Sequence, residues 1–404
     1  MNPKRILILM SDTGGGHRAA AEAIKEALER RHGDDVLVEM VDVLKRYAPK
    51  PFNYLPEFYP HWIKRGKSSW GILYQISNST QNATAIMNTW KLIVRRGVKR
   101  MLVREQYADA IINVHPLFST PAISVLRRQP NRPPFITVVT DLVTTHTWWY
   151  DRRCDRILVP TQPALEVGVK HGVRREKMRV TGLPVNPKFA DKLVGKAEAR
   201  VTLGWTDGVP TILMVGGGDG MGPLKDIAQR MDALPYPLQL AIVAGRNEGL
   251  RKDLQSIKWK HPVHVYGFVT NMPELMAAAD LLVTKAGPGT ISEACIAGLP
   301  MILSDAIPGQ EDGNVSYVVE NDAGVFAPGP EKVIAAVQEF LEQGPEKLAL
   351  SAENAKRIAR PDAVWEIADE VWDLANQPRI KRVRRSLMPN QMALERLISL
   401  SRDQ

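Results

Sequence analysis

Short runs of branched aliphatic residues recur along the chain and alternate with longer amphipathic stretches. This is the pattern of βαβ units, whose parallel strands are covered by helices on both faces. In the first half it predicts strands near 4–10, 36–42, 110–114, 135–139 and 156–159. In the second half it predicts strands near 211–215, 238–243, 263–266, 280–283, 300–303 and 324–326, with helices near 194–203, 331–343 and 363–375. The stretch TGLPVNP at 181–187 sets a glycine and two prolines within seven residues, the strongest breaker signal between the two series. At 404 residues, the chain suits two domains of about 150–200 residues each. The expected fold is α/β, with two doubly wound Rossmann-like domains facing a central cleft. The expected division is 1–185, 186–362, a helix at 363–376 returning toward the first domain, and a basic tail at 377–404.

Charge is distributed unevenly over this frame. Between Lys45 and Arg104 there are twelve Lys and Arg against one acid, Glu57, so this segment's excess of +11 exceeds the net +9 of the whole chain. Residues 47–74 also hold eight of the 26 aromatics: Tyr47, Phe52, Tyr54, Phe58, Tyr59, Trp62, Trp70 and Tyr74. Cations among Trp and Tyr suit an anionic headgroup layer over hydrocarbon. A small aromatic core under a solvated basic face is the plainer alternative. Basic grooves with stacking aromatics also take single-stranded nucleic acid, but no RNP, KH or zinc-finger pattern occurs, and no nucleic-acid partner is expected. A second basic cluster, Arg379 to Arg385, precedes an apolar spacing of Met392, Leu394, Leu397, Ile398 and Leu400 that reads equally as an amphipathic surface helix or a solubilising tail.

No apolar run reaches the roughly 18 residues that span a bilayer, and the run 6–10 is too short for a signal-peptide core. Two cysteines, Cys154 and Cys295, lack metal or redox spacing and point to a reducing setting. The expectation is a cytoplasmic protein associated peripherally with the inner face of the cell membrane.

Three loops at predicted strand ends carry candidate chemistry. The first, Ser11 to Arg18, leads from a strand through Gly14, Gly15 and Gly16 into an alanine-rich helix, which presents free backbone N–H groups to an anion. Gly14, Gly16 and Ala19 also satisfy the dinucleotide pattern G-x-G-x-x-A, with Glu39 ending the next strand, so that reading stays open. It leaves unexplained the second loop, Gly216, Gly217, Gly218, Asp219 and Gly220, after the strand 211–215. The third, KAGPGTISEA at 285–294, places Lys285 before a helix start with Gly287, Gly289 and Thr290, and Thr290 with Glu293 fits a capping box. Polar Gln310, Glu311 and Asn314 in the stretch 308–314 suit hydrogen bonds to a sugar, or ordinary turn chemistry.

With these motifs in place, the chain resembles the monogalactosyldiacylglycerol synthase family, the related processive diacylglycerol glucosyltransferases and, more distantly, the peptidoglycan N-acetylglucosaminyl transferase. The stretches SDTGGGHRAAAEAI (11–24), VTDLVTTHTWW (139–149), TGLPVNP (181–187), GGGDGMGP (216–223), KAGPGTISEA (285–294) and GQEDGN (309–314) carry the likeness in order along almost the whole chain. The resemblance implies a GT-B fold and inverting transfer of a hexose, galactose favoured over glucose, from a UDP-hexose to diacylglycerol at an anionic lipid membrane surface. It implies His17 as catalytic base, in a first helical turn where the dipole disfavours imidazolium, and Asp141 as its orienter, as a contact to the acceptor hydroxyl, or as a turn residue. Donor binding then falls to the second loop's glycines, Phe268, Lys285, Gly287, Gly289, Thr290, Glu293, Gln310, Glu311 and Asn314, with Glu293 on the ribose diol as the alternative to its capping box. Acceptor and membrane contacts fall to Gly15, Gly16, Phe58, Tyr59, Trp62, Lys64, Arg65, Trp148 and Trp149. No cofactor or metal is expected, since no D-x-D occurs and helix N-termini with Lys285 can supply positive field. Asp219 and the approach 306–308 depart from the family pattern and bear on the identity of the hexose. A UDP-sugar epimerase and a non-catalytic nucleotide-sugar sensor are the rival readings.

Overall fold

Strand β1 (Lys4–Met10) has the sequence KRILILM, and from Ile6 onward every side chain is buried, as a central strand covered on both faces requires. The computed structural model describes residues 2–13, 15–58, 62, 66–218 and 220–381. Expected site residues Tyr59, Lys64 and Arg65, with Gly14, Asp219 and the tail from 382 on, lie outside the described residues.

Around β1 a six-stranded parallel sheet forms in the order β2-β1-β3-β5-β6-β7, from β2 (Val36–Asp42), β3 (Ala110–Asn113), β5 (Phe135–Val138), β6 (Arg156–Val159) and β7 (Met178–Val180). A second parallel sheet has the order β10-β9-β8-β11-β12-β13, built from β8 (Thr211–Val215), β9 (Gln239–Val243), β10 (Val263–Tyr266), β11 (Leu281–Lys285), β12 (Met301–Asp305) and β13 (Gly324–Phe326). Each sheet reverses its strand order once, beside β1 and beside β8, and such a switch point opens a crevice at the carboxyl ends of the strands. The glycine loops 11–18 and 216–223 leave from those two strands.

All eleven strands expected from the pattern are present within two residues at either end. β7 escaped it because MRV is three residues long with an exposed arginine at its centre. The short antiparallel pair β4 (Asn131–Arg132) and β14 (Ile380–Lys381) gives no periodic signal at all. The helix expected at 331–343 runs on as Pro330–Ile358 through a break at Gly344 (φ 74°, ψ −164°), where glycine admits the left-handed backbone ahead of Pro345.

The helix Ala363–Ala375 buries Val364, Ile367, Ala368 and Val371 in the core of the first sheet, together with Ile6, Ile8, Ile24 and Leu28. Other contacts join the two sheets' halves directly. Lys188 Nζ donates to Glu26 Oε2 at 2.8 Å, Arg30 pairs with Asp191, and the Gly313 N–H donates to Thr144 Oγ1 at 2.8 Å.

Candidate active site

The loop after β1 is tied down by Asp42 at the end of β2, which accepts from Ser11 Oγ at 3.0 Å and from the Asp12 N–H at 3.1 Å. Gly15 then turns the chain at φ 82° as N-cap of the helix Gly16–His32. A Cβ on Gly15 or Gly16 would meet nothing within 4 Å, so there is open space beside this helix start.

His17 is the second residue of that helix, as expected, and its ring is partly buried. Thr140 Oγ1 lies 2.9 Å from its Nδ1, and its ring packs on His115 at 4.4 Å and Trp149 at 6.1 Å between centroids. Burial pushes its pKa down to about 4, against a smaller opposing effect of a hydrogen bond to the Val114 backbone. The imidazole is therefore neutral at physiological pH. His115, at the carboxyl end of β3, accepts the Leu117 N–H at Nδ1 (3.3 Å), which leaves Nε2 to donate to Thr13 Oγ1 (3.0 Å). His115, Thr140 and Thr13 were not expected from sequence. The signal available was position, since each lies next to a strand's carboxyl end in a doubly wound sheet.

Asp141 does not orient His17. Its Oδ2 accepts the Trp149 indole N–H at 2.6 Å, and further bonds come from the His146 backbone and the Gln310 side chain. Burial pushes its carboxyl up to about 6, which those hydrogen bonds oppose. The side chain that holds His17 is that of its neighbour, Thr140, with the Val114 backbone as a second partner.

Trp148 and Trp149 are not at a membrane surface either. Trp149 is 0% exposed with its indole committed to Asp141, and Trp148 is half-buried and donates to the Ala83 carbonyl at 3.0 Å. Phe58 (68% exposed) and Trp62 (41%) do reach solvent, as do Ile72, Leu73 and Ile76 of the helix Lys67–Asn78.

On the facing side, the loop after β8 packs its glycines tightly. A Cβ on Gly216 would stand 2.6 Å from the Met221 carbonyl oxygen, and one on Gly220 2.1 Å from that of Ala244. Gly217 takes φ 71°, and Gly218 lies against the Arg246 guanidinium, which also covers the exposed ring of Phe268 at 5.4 Å. Gly287 caps the helix Pro288–Ala297, which places Gly289 and Thr290 within the first turn and makes no side-chain cap bond. The capping-box alternative therefore fails: Thr290 sits inside the helix and not at its cap. Glu293, one turn further on, is partly buried, and burial pushes its carboxyl up to about 7.

Lys285 Nζ donates to Glu311 Oε1 at 2.5 Å, and Glu311 Oε2 accepts the Ile307 N–H at 2.9 Å, so both oxygens of this buried carboxylate are engaged within the protein. Asn314 likewise turns inward and donates to the Ala286 carbonyl at 2.9 Å. Gln310 reaches across the cleft, bonding Asp141 and accepting the Trp70 indole N–H at 3.2 Å. Among the described residues no three His, Cys, Asp or Glu side chains gather as a metal-binding group.

Two parallel doubly wound sheets with facing strand-end loops define the GT-B fold. The same architecture occurs in MurG of Acinetobacter baumannii, at 18% identity and TM-score 0.61 over 92% of this chain and 100% of that one. It also occurs in a putative UDP-N-acetylglucosamine 2-epimerase of Listeria monocytogenes, at 15% identity and TM-score 0.59 over 94% and 99%. The profile of monogalactosyldiacylglycerol synthase matches residues 17–185, and that of the glycosyltransferase family 28 C-terminal domain matches 211–364. A probable monogalactosyldiacylglycerol synthase of Nicotiana tabacum is 40% identical over 93% of this chain and 71% of its own. The synthase of Spinacia oleracea is 40% identical over 93% and 73%. The chain belongs to the monogalactosyldiacylglycerol synthase family.

These relatives are chloroplastic, which overturns the expectation of a cytoplasmic protein on the inner face of a cell membrane. Two buried free thiols argue only against a disulfide framework and do not distinguish one reducing compartment from another.

Proposed function

We propose that the chain transfers galactose from UDP-galactose to the free hydroxyl of diacylglycerol, with inversion at the anomeric carbon, to give a β-galactosyldiacylglycerol. The observation that carries this reading is His17, a neutral imidazole at an open helix start, in a chain whose relatives are synthases of that lipid. The acceptor oxygen attacks C1 as its proton passes to His17, and the C1–O bond to UDP breaks with its electron pair leaving on phosphate. Lys285 and the N-terminus of Pro288–Ala297 offset the charge that develops there. In this reading Glu293, free of a cap, accepts hydrogen bonds from the ribose hydroxyls, and Phe268 with Arg246 beside it covers the uracil.

The division of labour follows the two sheets, with 1–185 for acceptor and membrane and 186–362 for donor. Phe58, Trp62, Ile72, Leu73 and Ile76 form the apolar contact with the lipid surface. A recess lined by Lys91, Arg95, Arg127, Arg128 and Lys381 around Leu92 and Ile380 adds positive charge that suits anionic headgroups. No helix among the described residues is long and apolar enough to cross a membrane. No metal is required in this scheme, since the positive field comes from the chain itself.

The test is product analysis with labelled UDP-galactose or UDP-glucose and diacylglycerol in anionic vesicles. A monogalactosyl lipid from UDP-galactose is expected. Absence of any glycolipid, or product from UDP-glucose alone, would overturn the assignment.

A further inference from the structure

The helix Lys67–Asn78 has two faces of different character. Its inner face is packed on the loop 308–314. A Cβ on Gly71 would stand 3.0 Å from Pro308 Cβ, and one on Gly309, at φ 80°, would stand 3.1 Å from the Tyr74 ring. The Trp70 indole N–H donates to Gln310 Oε1 at 3.2 Å. The Tyr74 hydroxyl donates to the Thr144 carbonyl at 3.2 Å, and Thr144 Oγ1 accepts the Gly313 N–H at 2.8 Å. The outer face presents Ile72, Leu73 and Ile76 to solvent at 60%, 39% and 49% exposure, and no acidic residue lies between Glu57 and Glu105.

We infer that this helix couples the lipid surface to the sugar-binding loop, with Trp70 and Tyr74 as positioning residues for Gln310, so that membrane seating and UDP-hexose binding strengthen one another. The inference takes from the proposed function both the loop 308–314 as sugar contact and the apolar face as lipid contact. Small residues at the seam make the link stiff. Gly71 and Gly309 bring helix and loop backbones too close for a side chain to intervene, so a shift of one displaces the other. Burying Ile72, Leu73 and Ile76 in lipid fixes the orientation of the helix, and with it the position of Gln310. A sugar nucleotide then meets an ordered loop, and the ordering is not charged to its binding a second time. Linkage makes the effect reciprocal: the factor by which vesicles raise UDP-hexose affinity equals the factor by which UDP-hexose raises vesicle affinity.

The experiment titrates UDP-galactose calorimetrically into the full chain, with and without phosphatidylcholine–phosphatidylglycerol vesicles that contain no diacylglycerol. Vesicle partition is measured in parallel by sedimentation. The expected result is a gain in UDP-galactose affinity of about fivefold or more on vesicles, matched by an equal gain in partition when UDP-galactose is present. Trp70→Phe and Tyr74→Phe, which face inward, should reduce that factor toward one while partition without nucleotide is retained. Equal affinity with and without vesicles would overturn the coupling and leave the proposed function standing. A coupling factor unchanged in both variants would overturn the assignment to Trp70 and Tyr74. Failure of the wild-type chain to bind UDP-galactose, or to partition onto the vesicles, would remove the underlying reading and this inference with it.

Discussion

Thr140 Oγ1 and His17 Nδ1 stand 2.9 Å apart across a sequence separation of 123 residues, which places a hydroxyl from the end of β5 on the ring at the start of the first helix. Together with the hydrogen bond to the Val114 backbone, this contact fixes the orientation of the ring. Removing the ring in His17→Ala should lower kcat by about 10²–10⁴-fold, with UDP-galactose binding retained. Thr140→Val keeps shape but loses the hydrogen bond, and should lower kcat by about tenfold with KM for UDP-galactose within about twofold, on the order of 1 kcal/mol for one hydrogen bond. Steady-state kinetics decides both. Near-wild-type turnover in His17→Ala would exclude it as the base.

Buried groups of opposite sign share the acidic range. His17 falls from 6.5 to about 4 and His146 from 6.5 to about 3, so the native state binds fewer protons than the unfolded chain below pH 6.5, and stability drains away as pH falls. Asp141 rises from 3.8 to about 6, so the native state binds the extra proton there and gains stability as pH falls from about 6 to 3.8. Asp141→Asn removes the compensating group. Thermal melts should then show a steeper loss of Tm between pH 6 and 4 than the wild type, and parallel curves would contradict the burial ascribed to Asp141.

Glu293 should be read out through the donor. With its carboxyl pushed up to about 7, the ionised form that best accepts ribose hydroxyls grows in as pH rises through that value. KM for UDP-galactose is expected to fall across pH 6–8 in the wild type, and in Glu293→Gln to be higher and flat. A wild-type KM independent of pH would remove the ribose role.

Charge on the acceptor half should govern attachment to lipid. Arg95→Glu combined with Arg127→Glu should reduce partition onto anionic vesicles by about tenfold or more, since each cation near such a surface contributes about 1 kcal/mol. Raising salt should reduce wild-type activity on the same vesicles, because screening acts within about 8–10 Å. Salt-independent activity on neutral vesicles would exclude an electrostatic contribution.

In the proposed scheme Lys285 and helix N-termini provide the positive field, so excess chelator should leave the galactosyl transfer rate unchanged within about twofold. Loss of activity restored by Mg²⁺ or Mn²⁺ would show that an ion completes the site.

Strand positions were legible because parallel strands buried on both faces, such as TILMV at 211–215 and KRILILM at 4–10, read as continuous apolar runs. The glycine loops were legible for the same local reason, since each follows such a run. What escaped depends on contacts far apart in sequence. A Trp-Trp pair after a polar loop gives no sign of which way its rings face. Only the approach of Asp141 and of the Ala83 carbonyl settles that both indoles point inward. Asp141 itself resembled an orienter because it neighbours the true partner, and one residue of register along an extended chain decides which side chain faces His17. The capping box that the local sequence offered for Glu293 fails because the helix starts at Pro288 and not at Thr290.

The helix Ala363–Ala375 completes the core of the first sheet, although it lies close to the end of the chain. During synthesis, Ile6, Ile8, Ile24 and Leu28 therefore wait for a covering segment that leaves the ribosome after the whole second sheet has been made. At about 5–20 residues per second, the more than 300 intervening residues leave that apolar face uncovered for some tens of seconds. A chain cut before 363 would therefore leave this apolar face of the first half open.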